Sequence, residues 1–366
     1  MTTVRISLFD TEEQVRELRP DLERRLAEVV ESGRFILGPE VSAFERSFAE
    51  YLGVEHVIGV GNGTDALTIA LIALGIGPGD DVVVPSFTFY ASAEAIPHSG
   101  ARPVFCDIDP DTFCVTAETV ERALTARTRA IVVVHLFGTP APLTELRALA
   151  AERGIALIED AAQAAGATVN GDRVGSLGDV ATFSFFPSKN LFCIGDGGAI
   201  ATNDRAIAEQ ARLLRSHGSR DKLTYTTIGF NSRLDELQAA VLSVNLARLD
   251  GQNERRRALA AAYADAGLGD YVALPRVPEG AEAVYHLFVT RADDPAELSA
   301  ALDRAGIDTR SYYEVPVHLQ APMAPYAPGS PLPGTELASA TNLALPMGPT
   351  HSPETAQAVV AALAEA

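Results

Sequence analysis

An amine and a carboxylate follow two apolar runs of this sequence, and together they could carry out chemistry. Lys189 comes after the run at residues 180–186 and before Gly195-Asp196-Gly197-Gly198. The apolar run at residues 155–158 ends in Glu159-Asp160. Groups just beyond the strands of an open α/β sheet meet at its carboxyl edge. A lysine that forms a Schiff base with pyridoxal phosphate, opposite an acid that keeps the pyridine nitrogen protonated, needs this pair. The alternative is a surface lysine and a helix-capping aspartate.

A candidate phosphate site lies at Gly61-Asn62-Gly63-Thr64-Asp65, which follows a predicted strand and opens a predicted helix. The free backbone N–H groups and the positive dipole end of such a helix start suit a phosphate. The hydroxyls of Thr64 and Ser184 would add to it, although ordinary capping or backbone contacts are the alternative. The segment, which includes Gly63 and Asp65, lacks the lysine of a P-loop and the last glycine of a dinucleotide fingerprint. A Rossmann dehydrogenase is therefore disfavoured.

Aromatic and cationic residues complete the set of candidate site residues. Phe89 and Tyr90 follow the second predicted strand, where a ring could stack on a flat cofactor or simply fill the core. An anionic substrate would need a local cation, although a solvated surface position is the alternative for every arginine or lysine. The candidates for that role are Arg215, Arg220, Lys222, Arg233 and Arg310.

The elements that must position these residues can be predicted from hydrophobic periodicity. Short apolar runs alternate with amphipathic stretches between residues 56 and 202, which predicts βαβ units. The fold class is therefore α/β, with a mostly parallel sheet of about seven strands and room for one antiparallel strand beside the lysine loop. Strands are predicted at residues 56–60, 81–85, 102–107, 130–136, 155–159, 180–186, 198–202 and 285–290. Helices are predicted at residues 12–32, 40–51, 64–74, 90–98, 117–126, 143–153, 234–266, 296–305 and 353–366.

A chain of 366 residues that is 47% hydrophobic can bury a large core and is expected to divide into two domains. Residues 1–250 are predicted to form the large cofactor-binding domain, and residues 251–366 a smaller α+β C-terminal domain. The N-terminal helix could belong to the large domain by sequence and still pack on the small domain. A proline-rich segment at residues 315–334 is too irregular to be a core element.

Composition excludes several classes of function. The chain has 29 lysine and arginine residues against 48 aspartate and glutamate residues, a formal charge of −19, which disfavours nucleic acids and anionic membranes. Cys106, Cys114 and Cys193 lack CxxC spacing and are predicted to be buried free thiols in a reducing compartment. No metal-ligand pattern, signal peptide or membrane span is predicted, so a cytoplasmic location is expected.

Taken together, the motifs resemble one family. The chain is similar to the DegT/DnrJ/EryC1/StrS sugar aminotransferases, which are fold-type-I pyridoxal-phosphate enzymes with the aspartate-aminotransferase architecture. The resemblance covers nearly the whole chain. The segments that carry it are residues 35–40, 63–67, 159–163, 184–190, 195–198, 229–240 and 317–320.

The resemblance implies a role for each matching residue. Lys189 corresponds to the Schiff-base lysine that also moves the proton, and Asp160 to the partner of the pyridine nitrogen. Asn231 corresponds to a residue lent by the neighbouring subunit to the phosphate, which implies a homodimer with shared sites. The remaining cofactor contacts implied are Gly63, Thr64, Asp65 and Ser184 to the phosphate, Phe89 stacked on the ring, and Gln163 to the ring or its hydroxyl. The substrate contacts are expected to be Tyr312, Tyr313, His318 and Arg220.

The expected reaction is a two-step amino transfer from glutamate, through pyridoxal 5'-phosphate, to a keto group of a nucleotide-diphosphate sugar. Relatives that replace the lysine with histidine are dehydratases, so the presence of Lys189 favours amino transfer. The segment from Ile307 to Tyr313, before His318, resembles relatives that aminate 3-keto sugars. The alternatives are a glutamine-dependent aminotransferase of a keto-cyclitol of the scyllo-inosose type, and a regulator that binds pyridoxal phosphate without turnover.

Overall fold

The structure is a computed structural model that describes residues 5–365. Its helices are α1 (Thr11–Ser32), α2 (Pro39–Leu52), α3 (Gly63–Ala73), α4 (Tyr90–Ser99), α5 (Ala117–Ala123), α6 (Leu143–Arg153), α7 (Arg205–Leu214), α8 (Glu236–Leu246), α9 (Leu249–Asp265), α10 (Pro295–Arg304), α11 (Pro333–Thr341) and α12 (Pro353–Ala364). Its strands are β1 (His56–Val60), β2 (Asp81–Pro85), β3 (Arg102–Cys106), β4 (Thr128–Val134), β5 (Ala156–Asp160), β6 (Thr168–Val169), β7 (Asp172–Arg173), β8 (Val180–Ser184), β9 (Gly198–Thr202), β10 (Ala281–Glu282), β11 (Phe288–Arg291) and β12 (Asn342–Leu345).

A seven-stranded sheet forms the centre of the fold, in the order β1-β9-β8-β5-β4-β2-β3. Strand β9 runs antiparallel to both of its neighbours, and the other pairs are parallel. The middle residues of β2 (Val82 to Val84) and of β4 (Ala130 to Val133) are fully buried because helices cover both faces of such a sheet. The predicted α/β class, the seven strands and the single reversed strand are confirmed.

The strand order brings the predicted site residues to one edge of the sheet. Strands β1, β2, β5 and β8 all end at this edge, and the reversed strand β9 begins there. The loop that carries Lys189 connects β8 to β9, so it lies over the same edge as Asp160, the last residue of β5. This placement follows from chain direction alone, because parallel strands share their carboxyl ends.

Some elements differ from those predicted. The long helix predicted at residues 234–266 is divided into α8 and α9 by a break at Ala247 and Arg248. The strand predicted at residues 285–290 begins only at Phe288, because Tyr285 has a left-handed backbone with a φ of 43°. Helix α7, helix α11 and the small strands β6, β7, β10 and β12 were not predicted; the strands are too short to show a period.

The C-terminal part has a hydrophobic cluster of its own. Apolar side chains between Leu259 and Leu363 pack around the antiparallel pair β11–β12, separately from the cluster around the large sheet. Helix α1 packs against α8. The domain division at residue 250 stays a prediction, and residue 250 itself lies inside α9.

Candidate active site

A cavity of about 960 Å³ opens at the carboxyl edge of the large sheet. Its size is within the range of ligand-binding clefts, which span roughly 300–1,000 Å³. Residues from β1, β2, β5 and β8, or from the loops after them, line it together with a segment before β12. Ten of the predicted site residues are among its lining: Gly63, Thr64, Asp65, Phe89, Asp160, Gln163, Ser184, Lys189, Tyr312 and Tyr313.

Lys189 lies in a tight turn, in which its backbone N–H donates to Phe186 O at 2.8 Å. Its amine forms no ion pair within residues 5–365. Burial lowers the pKa of Lys189 to about 8, and the nearby Asp160 carboxylate opposes this shift. A much larger fraction of the amine is therefore neutral, and nucleophilic, at neutral pH than in an exposed lysine.

Asp160 is buried, and its carboxylate accepts hydrogen bonds within the protein. Ser92 Oγ donates to Asp160 Oδ2 at 2.7 Å, and the Ala162 N–H donates to Oδ1 at 3.2 Å. Burial raises the pKa of Asp160 above its usual value, and these two donors and the charge of Lys189 oppose that rise. A turn follows Asp160 and not a helix, so it is not a helix cap.

The turn before α3 forms a cradle at the rim of the cavity. Asn62 Oδ1 caps the helix by accepting from the Asp65 N–H at 2.8 Å, whereas the N–H groups of Gly63 and Thr64 have no partner among the described residues. A Cβ at Gly63 would lie 2.8 Å from Ser184 Cβ, so only glycine lets the turn approach β8 this closely. Two free N–H groups at a helix start, next to two hydroxyls, are a suitable anion site.

The Gln163 amide is held in one orientation at the opposite wall. Its Oε1 accepts from the Phe137 N–H at 2.6 Å, and its Nε2 donates to Tyr313 OH at 3.3 Å. The Tyr313 ring stacks on Phe137 with an interplanar angle of 6° and a centroid distance of 5.9 Å. Phe89 is 58% exposed beside the cavity, so its ring is available to stack on a ligand.

Three predicted residues are not brought to the cavity of the same chain. His318 is buried in a short 3-10 turn, where its Nδ1 lies 2.5 Å from Ser86 Oγ. Arg220 forms an exposed ion pair with Glu209 at 2.9 Å. Asn231 is exposed and pairs through its backbone with Ser216. The predicted roles of all three stay predictions.

The cavity also contains residues that were not among the predicted cofactor or substrate contacts. Thr88 and Ser92 lie close to Phe89 in sequence, and only the tertiary structure shows that Ser92 donates to Asp160 and contacts Thr88. His286 is buried beside the cavity, and burial lowers its pKa well below the usual value. Phe186 also lines the cavity. Arg310, one of the five candidate cations predicted from the sequence, lines it as well; no carboxylate of residues 5–365 pairs with Arg310, which packs over Tyr312 with a centroid distance of 5.3 Å.

Comparison with known proteins identifies the family. Residues 17–364 match the model of the DegT/DnrJ/EryC1/StrS aminotransferase family. The chain belongs to this family. This confirms the predicted resemblance, the predicted transaminase chemistry and pyridoxal phosphate as the cofactor.

Two relatives and one solved structure are similar to the chain over almost their whole length. The chain is 48% identical to a dTDP-3-amino-3,4,6-trideoxy-α-D-glucose transaminase from Streptomyces venezuelae, and the match covers 95% of this chain and 92% of the relative. It is 47% identical to a pleiotropic regulatory protein from Geobacillus stearothermophilus, with coverage of 98% of both chains. The crystal structure of S. venezuelae DesV in complex with a ketimine intermediate has a TM-score of 0.96 at 46% identity, covering 99% of this chain and 98% of that one.

The residues of this aminotransferase-family chain fit pyridoxal phosphate. The glycine cradle at Gly63 offers two unpartnered N–H groups to a phosphate, and Lys189 offers an amine without an ion pair. Asp160 lines the same cavity and accepts two hydrogen bonds within the protein, so its ionised carboxylate would have lone pairs left for a protonated ring nitrogen. Among residues 5–365 no helix is long and apolar enough to cross a membrane, and no group of three or more His, Cys, Asp or Glu side chains could hold a metal ion.

Proposed function

We propose that this aminotransferase moves an amino group from glutamate to the keto group of a sugar carried on a nucleoside diphosphate, with a 3-keto sugar as the preferred acceptor. The observation that carries the proposal is that Lys189, Asp160, Thr64 and Ser184 line one cavity. The transaminase name of the S. venezuelae relative, which specifies a 3-amino sugar, supports the acceptor class. The cavity volume of about 960 Å³ leaves room for a ligand beyond a cofactor.

Bound pyridoxal phosphate supplies a protonated ring that accepts electron density from the carbon that loses its proton. Asp160 stabilises that protonated ring through its carboxylate, and Gly63, Thr64 and Ser184 bind the phosphate. The amine of Lys189 would take the proton from one carbon and return it to the other. Its depressed pKa, about 8, suits a group that must both accept and release a proton near neutral pH.

Arg310 is the residue proposed to orient the amino donor. It is exposed at the cavity and lacks a carboxylate partner among residues 5–365, and its guanidinium packs on Tyr312. A guanidinium binds a carboxylate through two parallel hydrogen bonds, which fixes the orientation of an amino acid. Because the protein as a whole is strongly acidic, a local cation is needed to attract such a donor.

The experiment that tests this function separates the two half-reactions. Holoenzyme mixed with L-glutamate should lose its visible absorption band and release one 2-oxoglutarate per site. The resulting amine form is then offered dTDP- and UDP-linked 3-keto and 4-keto sugars and scyllo-inosose, and the products are identified by mass. A retained band with every amino acid would mean that the chain is a cofactor-binding regulator. Conversion by glutamine with transfer to the cyclitol would favour the keto-cyclitol alternative.

We also propose that the protein is a homodimer with shared sites and acts in the cytoplasm. Asn231 is exposed and lies outside the cavity of its own chain, as a residue that contacts the partner subunit's site would be. The three cysteines are free and buried, which is typical of proteins in a reducing compartment. Mixing Lys189→Ala with Asn231→Ala subunits tests the sharing. If Asn231 acts on the neighbouring site, mixed dimers regain one intact site, and random mixing restores about a quarter of the wild-type activity. No recovery would mean that Asn231 acts within its own chain.

A further inference from the structure

Two buried hydroxyl groups at the wall of the cavity are connected to Asp160 by hydrogen bonds. Thr88 follows β2 and is 0% exposed, and Ser92, in the first turn of α4, is 2% exposed. Ser92 Oγ lies 2.7 Å from Asp160 Oδ2, and Thr88 Oγ1 lies 3.1 Å from Ser92 Oγ. The three groups therefore form a continuous hydrogen-bonded row that joins β5 to the β2–α4 loop.

The direction of this row follows from counting protons. A hydroxyl has one proton, and the Ser92 proton is donated to Asp160. Ser92 can then only accept from Thr88, so Thr88 must be the donor in the second bond. A row in which every hydroxyl donates towards the carboxylate is polarised in one direction, and each bond strengthens the next.

The row matters because burial works against the charge of Asp160. Burial raises the pKa of this carboxyl above its usual value, and Ser92, the Ala162 N–H, Lys189 and His135 oppose that rise. Ser92 and the Ala162 N–H are the fixed donors to this carboxylate, and they favour its ionised form. Ser92 Oγ donates to a carboxylate 68 positions away in sequence, so the row ties the start of α4 to the end of β5.

We propose that Thr88 and Ser92 are positioning residues that act in series to hold the Asp160 carboxylate ionised and aimed at the ring nitrogen of the bound cofactor. The proposal rests on the proposed function through the contact assigned to Asp160. The β2–α4 loop, which also carries the exposed Phe89, would thereby control how strongly the ring withdraws electrons.

The test uses holoenzyme that carries pyridoxal phosphate labelled with ¹⁵N at the ring nitrogen. The ¹⁵N chemical shift is followed against pH in wild type, Ser92→Ala, Thr88→Val, the double variant and Ser92→Thr. Loss of one hydrogen bond to a buried charge should lower the proton affinity of the ring nitrogen about tenfold in Ser92→Ala and less in Thr88→Val. The rate of the glutamate half-reaction should fall in parallel while the KM for glutamate stays constant. Ser92→Thr keeps the hydroxyl and should restore both.

The double variant decides between a row in series and two independent contacts. If Thr88 acts only through Ser92, adding Thr88→Val to Ser92→Ala changes nothing further. Additive effects, or an unchanged ¹⁵N titration in Ser92→Ala, would overturn the proposal. Thr290→Val, which removes a fully buried hydroxyl that donates to Leu343 O in the small sheet, is the matched control for stability. Wild type that binds the label through Lys189 but shows no half-reaction would refute the proposed function while leaving the titration test intact.

Discussion

Uptake of pyridoxal phosphate by the apoenzyme should accelerate as the pH rises towards 8 and then level off. Loading requires the neutral amine of Lys189, whose pKa is lowered by burial to about 8. At pH 7 about a tenth of such an amine is neutral, against about 0.0003 for a pKa of 10.5, so loading should be about 300-fold faster than at an exposed lysine.

A less obvious expectation concerns Asp160. Its carboxylate raises the pKa of Lys189 against the effect of burial, so Asp160→Asn should lower that pKa below 8. The variant should therefore bind the cofactor faster than wild type at pH 6 to 7, although its rate of amino transfer should be strongly reduced. This substitution separates the effect of Asp160 on the pKa of Lys189 from its effect on the protonation of the cofactor ring.

The assay is stopped-flow growth of the visible absorption band after mixing apoenzyme with pyridoxal phosphate from pH 6 to pH 9. Lys189 and Lys222 are the only lysines of the chain, so borohydride trapping and peptide mapping can assign the bond to one of them. Lys222→Arg is the matched control and should load like wild type. A profile that is still rising steeply at pH 9, or an Asp160→Asn midpoint above that of wild type, would refute the electrostatic reasoning.

Contacts around the cavity give three further predictions. In Gly198→Ala, the new Cβ would lie 2.4 Å from Asn62 O, so the phosphate turn must shift; we expect a loss of about 1–3 kcal/mol in urea unfolding and weaker cofactor binding by fluorescence titration. Burial would raise the pKa of Glu159, but the His135 ring and the N–H groups of the loop after β7 lower it overall. The ionised Glu159 therefore stabilises the fold, and this contribution is lost as the pH falls. Glu159→Gln should cost about 3 kcal/mol at pH 7 and flatten the acid limb of the stability profile. Arg310→Ala should raise the KM for glutamate about tenfold, with little change in the inhibition constant of dTDP.

Each of these predictions has an outcome that contradicts it. Gly198→Ala with unchanged cofactor affinity would show that the turn adapts without loss. An acid unfolding profile of Glu159→Gln that overlays wild type would mean that this carboxylate is not ionised in the fold. For Arg310, equal weakening of glutamate and dTDP would point to the diphosphate as its ligand, and Arg304→Ala, an exposed arginine on α10 outside the cavity, is the control.

The large sheet was predictable because its signal is local. The buried β-branched runs of β2 and β4 and the helical spacing between them are visible within short windows of sequence, and β1, β2 and β9 were predicted at their observed bounds. The helix break at Ala247 and the small strands were not predicted, because a single break or a two-residue strand shows no detectable hydrophobic period.

The chain's own amino-acid sequence determined the reactive residue types, their positions just after strands and, through the family motifs, the roles predicted for Lys189 and Asp160. Only the tertiary structure decided that Ser92 bonds Asp160, that Gly198 lies against Asn62, and that Arg310 faces the cavity while His318 and Arg220 of the same chain do not. The reason is the strand order, in which β1 and β9 are neighbours although they are far apart in sequence. Periodicity reports which side of an element is buried, but contacts between elements depend on how the whole sheet is assembled.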